Sequence, residues 1–218
     1  MANNFTEKLI KAFTLAEVLI TLGIIGIVAA ILIPTIQKNI QEKQFKEVAK
    51  AVFSKSSQVV QQMKMDEGGS LDYYFKTENS FKSAFMKYFK IIKDCESEAC
   101  VPQSTASDIF KTYTGSKIDN TTLGGEGQFI TADGVFFNIQ NGLSWSRAIM
   151  IGIDVNGYEK LPNSYGKDIF FFEIVNDNLL PMGALNTNFQ PPFYCNKTND
   201  HDYQGVACMD YVMQGIDY

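Results

Sequence analysis

Residues 12–34 read Ala12-Phe13-Thr14-Leu15-Ala16-Glu17-Val18-Leu19-Ile20-Thr21-Leu22-Gly23-Ile24-Ile25-Gly26-Ile27-Val28-Ala29-Ala30-Ile31-Leu32-Ile33-Pro34. From Phe13 to Ile33 this is one apolar run with a single ionisable residue, Glu17, near its start. At about 1.5 Å of rise per residue, such a run as a helix matches the ~30 Å hydrocarbon core of a bilayer. A carboxylate inside it costs about 2.5–3.5 kcal/mol on insertion scales and therefore calls for a partner. A cut just before Phe13 would create one, because the new α-amino group lies one helical turn from Glu17, or meets the Glu17 of a neighbouring copy.

In order and spacing this segment resembles the N-terminus of type IV pilins and type II secretion pseudopilins, the prepilin family. The matching features are a short polar leader with Lys8 and Lys11, then Phe13-Thr14-Leu15, Glu17 as fifth residue after the cut, the apolar run, and Pro34 closing it. The resemblance implies a leader at 1–12, a transmembrane half-helix at 13–33 and an extracytoplasmic domain at 34–218. It also implies cleavage between Ala12 and Phe13 by a prepilin peptidase that then methylates the new amine. Glu17 would neutralise the Phe13 amine of an adjacent subunit during filament assembly. One departure stands out: the family carries Gly before the cut, and this chain carries the next smallest residue, Ala12.

A cleaved secretory signal fits less well. It has a shorter apolar core with a small-residue cut site on its far side. Here Ala29-Ala30 is followed by more apolar residues and a proline. A plain membrane anchor accounts for the length but leaves Glu17 without a use.

About 185 residues follow Ile33, enough for one domain with its own core. The net charge of −5 argues against a nucleic-acid partner, which needs basic surface to offset phosphate. The positive leader fits a cytoplasmic N-terminus in a bacterial inner membrane, with the domain outside. The four cysteines agree: Cys95 with Cys100 and Cys195 with Cys208 form two local pairs, read as disulfides. The alternative is zinc. It wants tighter spacing and histidine partners, and His201 is the one histidine in the chain.

Beyond Pro34, Ile36, Ile40, Phe45, Val48, Ala49, Val52, Phe53, Val59, Val60 and Met63 recur at three- and four-residue steps. This is an amphipathic helix that continues the apolar one, ending at Gly68-Gly69. Residues 79–93 are expected as a second helix with Phe81, Phe85, Phe89 and Ile92 on one face. From Gln128 the period becomes strand-like. Gln128–Thr131 and Val135–Ile139 flank an Asp133-Gly134 turn, and Ala148–Val155 and Asp168–Val175 follow. The expected fold class is α+β: a long N-terminal hydrophobic helix packed under a small antiparallel sheet of three or four strands, with a disulfide-closed C-terminal loop. That is also the pilin plan the N-terminus implies.

The densest oxygen-rich stretch runs from Asp154 through Asn156 and Gly157 to Asp168. Asp154, Asn156 and Asp168 are candidate ligands for Ca²⁺, which takes six to eight oxygens. The competing reading is a loop that uses Asp, Asn, Gly and Pro for their turn chemistry. The pattern lacks the ligands of an EF-hand.

Three function classes follow. A filament subunit of a type II secretion pseudopilus or type IV pilus works by assembly with other subunits. An anchored enzyme finds little support, with one histidine, no Gly-x-Ser-x-Gly and cysteines better used in disulfides. A DNA-capturing competence pilin requires a basic tip with stacking aromatics. Lys82, Lys87, Lys90 and Tyr88 are its sole candidates.

Overall fold

A single helix, α1, runs from Leu15 to Asp66 and carries Pro34 inside it. The computed structural model describes residues 13–76, 80–95, 99–118, 123, 127–141 and 148–218. Pro34 lacks an N–H and so removes one helical hydrogen bond, yet the helix continues on both sides of it. Gly68 and Gly69, both with positive φ, close the helix end: Gly69 N–H donates to the Lys64 carbonyl at 2.8 Å.

Contacts divide the chain into two units with the boundary after Gln41. In the first, the described side chains are exposed apart from Ala29, which is half-buried. This stretch is long and apolar enough to cross a membrane, by length and composition. Exposed apolar surface of that extent requires lipid or another protein against it.

In the second unit, the rest of α1 buries Phe45, Ala49, Val52, Ser56, Val59, Val60 and Met63, the stripe that the sequence periodicity marks. Short helices α2 (Asp72–Lys76), α3 (Ser80–Met86) and α4 (Gln103–Ile109) accompany six strands. The strands are β1 (Ile91–Asp94), β2 (Gln128–Thr131), β3 (Phe136–Asn141), β4 (Ile149–Asp154), β5 (Ile169–Val175) and β6 (Asn178–Pro181), and α5 (Cys208–Gln214) follows. They pair antiparallel in simple chain order.

Both sheet faces are covered, which explains the unbroken Phe170-Phe171-Phe172 run. Phe170 and Phe172 join Ile149, Ile151, Ile153 and the α1 stripe in one core. Phe171, from the opposite face, joins Met150, Tyr165, Val206 and both cysteines of the Cys195–Cys208 bridge in a second. The C-terminal segment is therefore the lid of the second face. Both disulfides form, Cys95–Cys100 and Cys195–Cys208. The first lies beside buried Gln128, whose side chain donates to the Val101 carbonyl at 2.8 Å and accepts the Val101 N–H at 2.7 Å. The result is the expected α+β, pilin-like plan.

Three local expectations are corrected. Residues 79–93 do not form one helix: α3 ends at Met86 and Ile91–Asp94 becomes edge strand β1. The physical reason is the otherwise unpaired edge of β2, which the β-branched pair Ile91-Ile92 can satisfy while leaving Ile92 65% exposed. Among the described residues the sheet has six strands rather than three or four. The missed β6 follows Asn176-Asp177, both with positive φ, a two-residue turn of the hairpin type. Finally, Lys82 is not surface charge. It is 7% exposed and its Nζ lies 2.5 Å from Asp94.

Candidate functional site

Two places concentrate the candidate residues, the head of α1 and the loop between β4 and β5. At the head, the Thr14 N–H and hydroxyl each donate to Glu17 Oε2 at 2.8 Å. In return, the Glu17 N–H donates to Thr14 Oγ1 at 3.2 Å. This reciprocal pair is a capping box, which satisfies backbone donors that the first turn leaves over. Both bonds to the carboxylate fall on Oε2, so among the described residues Oε1 stays open to an incoming cation. Thr-x-x-Glu is a recognisable cap signature, and the sequence reading of Glu17 as charge alone overlooked it. Phe13 is 85% exposed, and Ala12 lies outside the described residues. Pro34 sits within α1 rather than at a helix end.

In the second place, β4 ends at Asp154 and β5 begins at Ile169, which is its register partner. Asp168 therefore stands beside the sheet, and its carbonyl accepts the Val155 N–H at 3.0 Å. Asp154 and Asp168 are both fully buried. Asp168 closes the loop from within: Oδ2 accepts the Asn163 N–H at 2.8 Å and Oδ1 the Ser164 N–H at 2.7 Å. Asp154 Oδ1 accepts the Asn156 N–H at 3.2 Å, the Asx-turn geometry that Asp favours. The Asn156 amide donates to the Lys160 and Leu161 carbonyls at 3.2 and 3.1 Å, and the Asn163 amide to the Tyr158 carbonyl at 2.7 Å.

This knot leaves acceptors over. Among the described residues, Asp154 Oδ2, Asn156 Oδ1 and Asn163 Oδ1 are buried with no hydrogen-bond partner. Orphaned buried oxygens are costly unless something donates to them or coordinates them. Burial pushes the Asp154 carboxyl well above the ordinary carboxylate range, and the Asp168 charge adds to this. Asp168 is pushed up to about 6, again mainly by burial, with the Ser164 and Asn163 N–H groups opposing. Burial alone disfavours the charge on each of these two carboxylates, and a proton or a cation would relieve it.

The set suits a hard cation: oxygen donors, two carboxylates and amide oxygens. Among the described residues, no three His, Cys, Asp or Glu side chains cluster, so any site here leans on amides. Asn163 was absent from the sequence-based set. Its signal was the left-handed conformation after a proline (φ +50°), which sequence alone does not disclose.

Of the basic candidates, Lys87 and Lys90 are exposed and Lys82 is buried. Lys82 is held by Asp94, and the Tyr88 hydroxyl donates to Asp66 at 2.6 Å. The cysteines are bonded to each other, which removes them as metal ligands. No protein-family model, curated protein or solved structure matches the chain, so its function is read from its own residues.

Proposed function

We propose that this chain is a structural subunit of a type II secretion pseudopilus or a type IV pilus. In this reading it is inserted in the inner membrane as a prepilin, cut before Phe13, N-methylated there by the prepilin peptidase and assembled through α1. The supporting observation is the head of α1: an exposed apolar helix that begins with a capping box and offers Glu17 Oε1 to a cation. Burying that helix against copies of itself supplies the affinity. The Phe13 ammonium of one subunit meets the Glu17 carboxylate of another, because either charge alone in an apolar filament core carries a heavy desolvation cost. The Thr14 bonds hold the Glu17 side chain at the helix head, where that amine arrives.

Mass spectrometry of the native N-terminus tests the processing. Methylated Phe13 is the expected result, and an intact Met1 would refute it. A Glu17→Ala variant tests assembly: cleavage continues while incorporation into filaments is lost. Unaltered incorporation would defeat the assembly role.

A second element of the proposal is Ca²⁺ binding in the β4–β5 loop, favoured by the three orphaned oxygens and the two buried carboxylates. A divalent cation there would supply the positive charge that the pair lacks. The loop would then fold in the calcium-rich space outside the cell and stay loose before export.

A further inference from the structure

We infer that the cavity where α1 meets residues 217–218 is a receptor for an anion of the phosphate class, inorganic phosphate or a phosphate ester, gripped by Lys46, Lys167 and Lys197. The inference is independent of the filament reading and of the oxygens in the β4–β5 loop.

The cavity has a volume of about 280 Å³, and separate stretches of chain supply its charged walls. Lys46 and Glu42 come from α1, Lys167 from the β4–β5 loop, Lys197 from the loop closed by Cys195–Cys208, and Asp217 from the segment after α5. Ammonium groups gathered around one space repel each other, and that cost stands until an anion enters. The two carboxylates leave it incompletely cancelled. Three positive groups face two negative ones, and Asp217 is exposed, where solvent screening weakens it. Among the described residues, neither Lys46 nor Lys197 forms an ion pair.

Two of the lysines are positioned by aromatic rings instead. Lys46 Nζ stands 4.3 Å from the centre of the Tyr218 ring, and Lys167 Nζ 5.3 Å from that of Tyr113. The rings are fixed in turn: the Tyr113 hydroxyl donates to the Tyr218 carbonyl at 2.9 Å, and the Tyr218 hydroxyl to the Gly166 carbonyl at 2.7 Å. A ring face orients an ammonium group without neutralising it. Burial lowers the Lys46 pKa, with the Lys197 charge adding to this against Asp217 and Glu42. An entering anion would return the solvation that Lys46 has lost.

Phosphate matches this arrangement better than a carboxylate does. Its oxygens point tetrahedrally and carry up to two charges, so it meets ammonium groups arriving from different sides, and lysine binds it as a point charge. The volume falls at the lower edge of the ~300–1,000 Å³ range of small-molecule sites, which suits phosphate with at most a small body attached.

The test is calorimetric titration of the full chain in neutral detergent micelles at low ionic strength. One arm adds inorganic phosphate and the other adds short-chain phosphatidylglycerol to the micelles. Binding with a Kd on the order of 0.1–1 mM is expected, weakened several-fold by added NaCl. Lys197→Gln removes an exposed ammonium and should weaken it roughly tenfold. Lys87→Gln, at an exposed lysine outside the cavity, should leave it unchanged. Lysine-dependent binding of phosphate supports a soluble anion; the same dependence in the lipid arm alone supports a headgroup. No binding in either arm would overturn the inference and leave the filament reading intact. Equal losses in Lys87→Gln and Lys197→Gln would also overturn it, because general surface charge would then account for the binding. If Lys197→Gln does not fold, undiminished affinity in Lys46→Gln overturns it instead.

Discussion

Glu173 grips Asn188 with both carboxylate oxygens, Oε2 accepting its backbone N–H and Oε1 its side-chain amide, each at 2.7 Å. Glu173 lies on β5 and is 4% exposed, so this bidentate contact pins the 182–190 segment to the sheet. Glu173→Ala leaves a part-buried N–H without its charged acceptor. The expected loss is about 2–3 kcal/mol, seen as a lower midpoint in thermal unfolding. An unchanged midpoint would show that the segment is held by its other contacts.

The buried carboxyl pair predicts a pH dependence with an unusual sign. Asp168 titrates near 6 in the folded chain, and Asp154 is likewise raised; both lie above their unfolded value of 3.8. The folded state then binds more protons than the unfolded one across that window. Their contribution is complete below the unfolded value and is lost as pH rises through about 6. In EDTA, stability attributable to this pair should rise as the pH falls from 7 to 5. Comparing the wild type with Asp154→Asn isolates it, since the variant removes the repulsion and should flatten the curve. Identical pH slopes in the two proteins would contradict the pairing.

Lys82 and Asp94 offer an asymmetric test of a partly buried ion pair. The lysine side chain is 8% exposed and the aspartate 29%. Asp94→Ala strands a buried ammonium and is expected to cost about 2–3 kcal/mol. That is below the ~3–5 kcal/mol of a fully buried pair, because the Asp94 side keeps some solvent. Lys82→Met should be milder, about 1 kcal/mol, since the stem packs and the stranded carboxylate is the more solvated partner. Denaturant midpoints of both variants check the ranking, and the reverse order would refute it.

Among the described glycines, Gly127, just before β2, makes the closest approach to a neighbouring backbone. A Cβ there would lie 1.9 Å from the Ile139 carbonyl oxygen, at φ +84°. Its own carbonyl accepts the Ile139 N–H at 2.9 Å, so neither strand can retreat without losing that bond. Gly127→Ala combines strain and clash, and about 3 kcal/mol or more is expected. Near-native stability of the purified variant would show that the β2–β3 hairpin yields more easily than its geometry implies.

The long elements were legible because their signals repeat. The stripe from Phe45 to Met63 recurs over five turns of α1, and the Asp133-Gly134 turn sits between two short alternating runs. Residues 91–94 carry too few positions to outweigh the helical spacing of Phe81, Phe85 and Phe89. Their strand identity comes from pairing with β2, a partner more than thirty residues away. Asn163 was missed for a related reason, since its relevance lies in which end of an amide the folded loop leaves without a donor.

What the sequence determined by itself is the apolar span, the position of Glu17 four residues after Phe13, the α+β class and the cysteine pairs, because each depends on local order and periodicity. Only the tertiary structure decided that Lys82 is buried against Asp94 and that, among the described residues, three loop oxygens are left without donors. Burial and hydrogen-bond completion are properties of the folded surroundings. A carboxylate, an ammonium or an amide takes its chemistry from what the fold places around it, and no spacing rule along the chain records that.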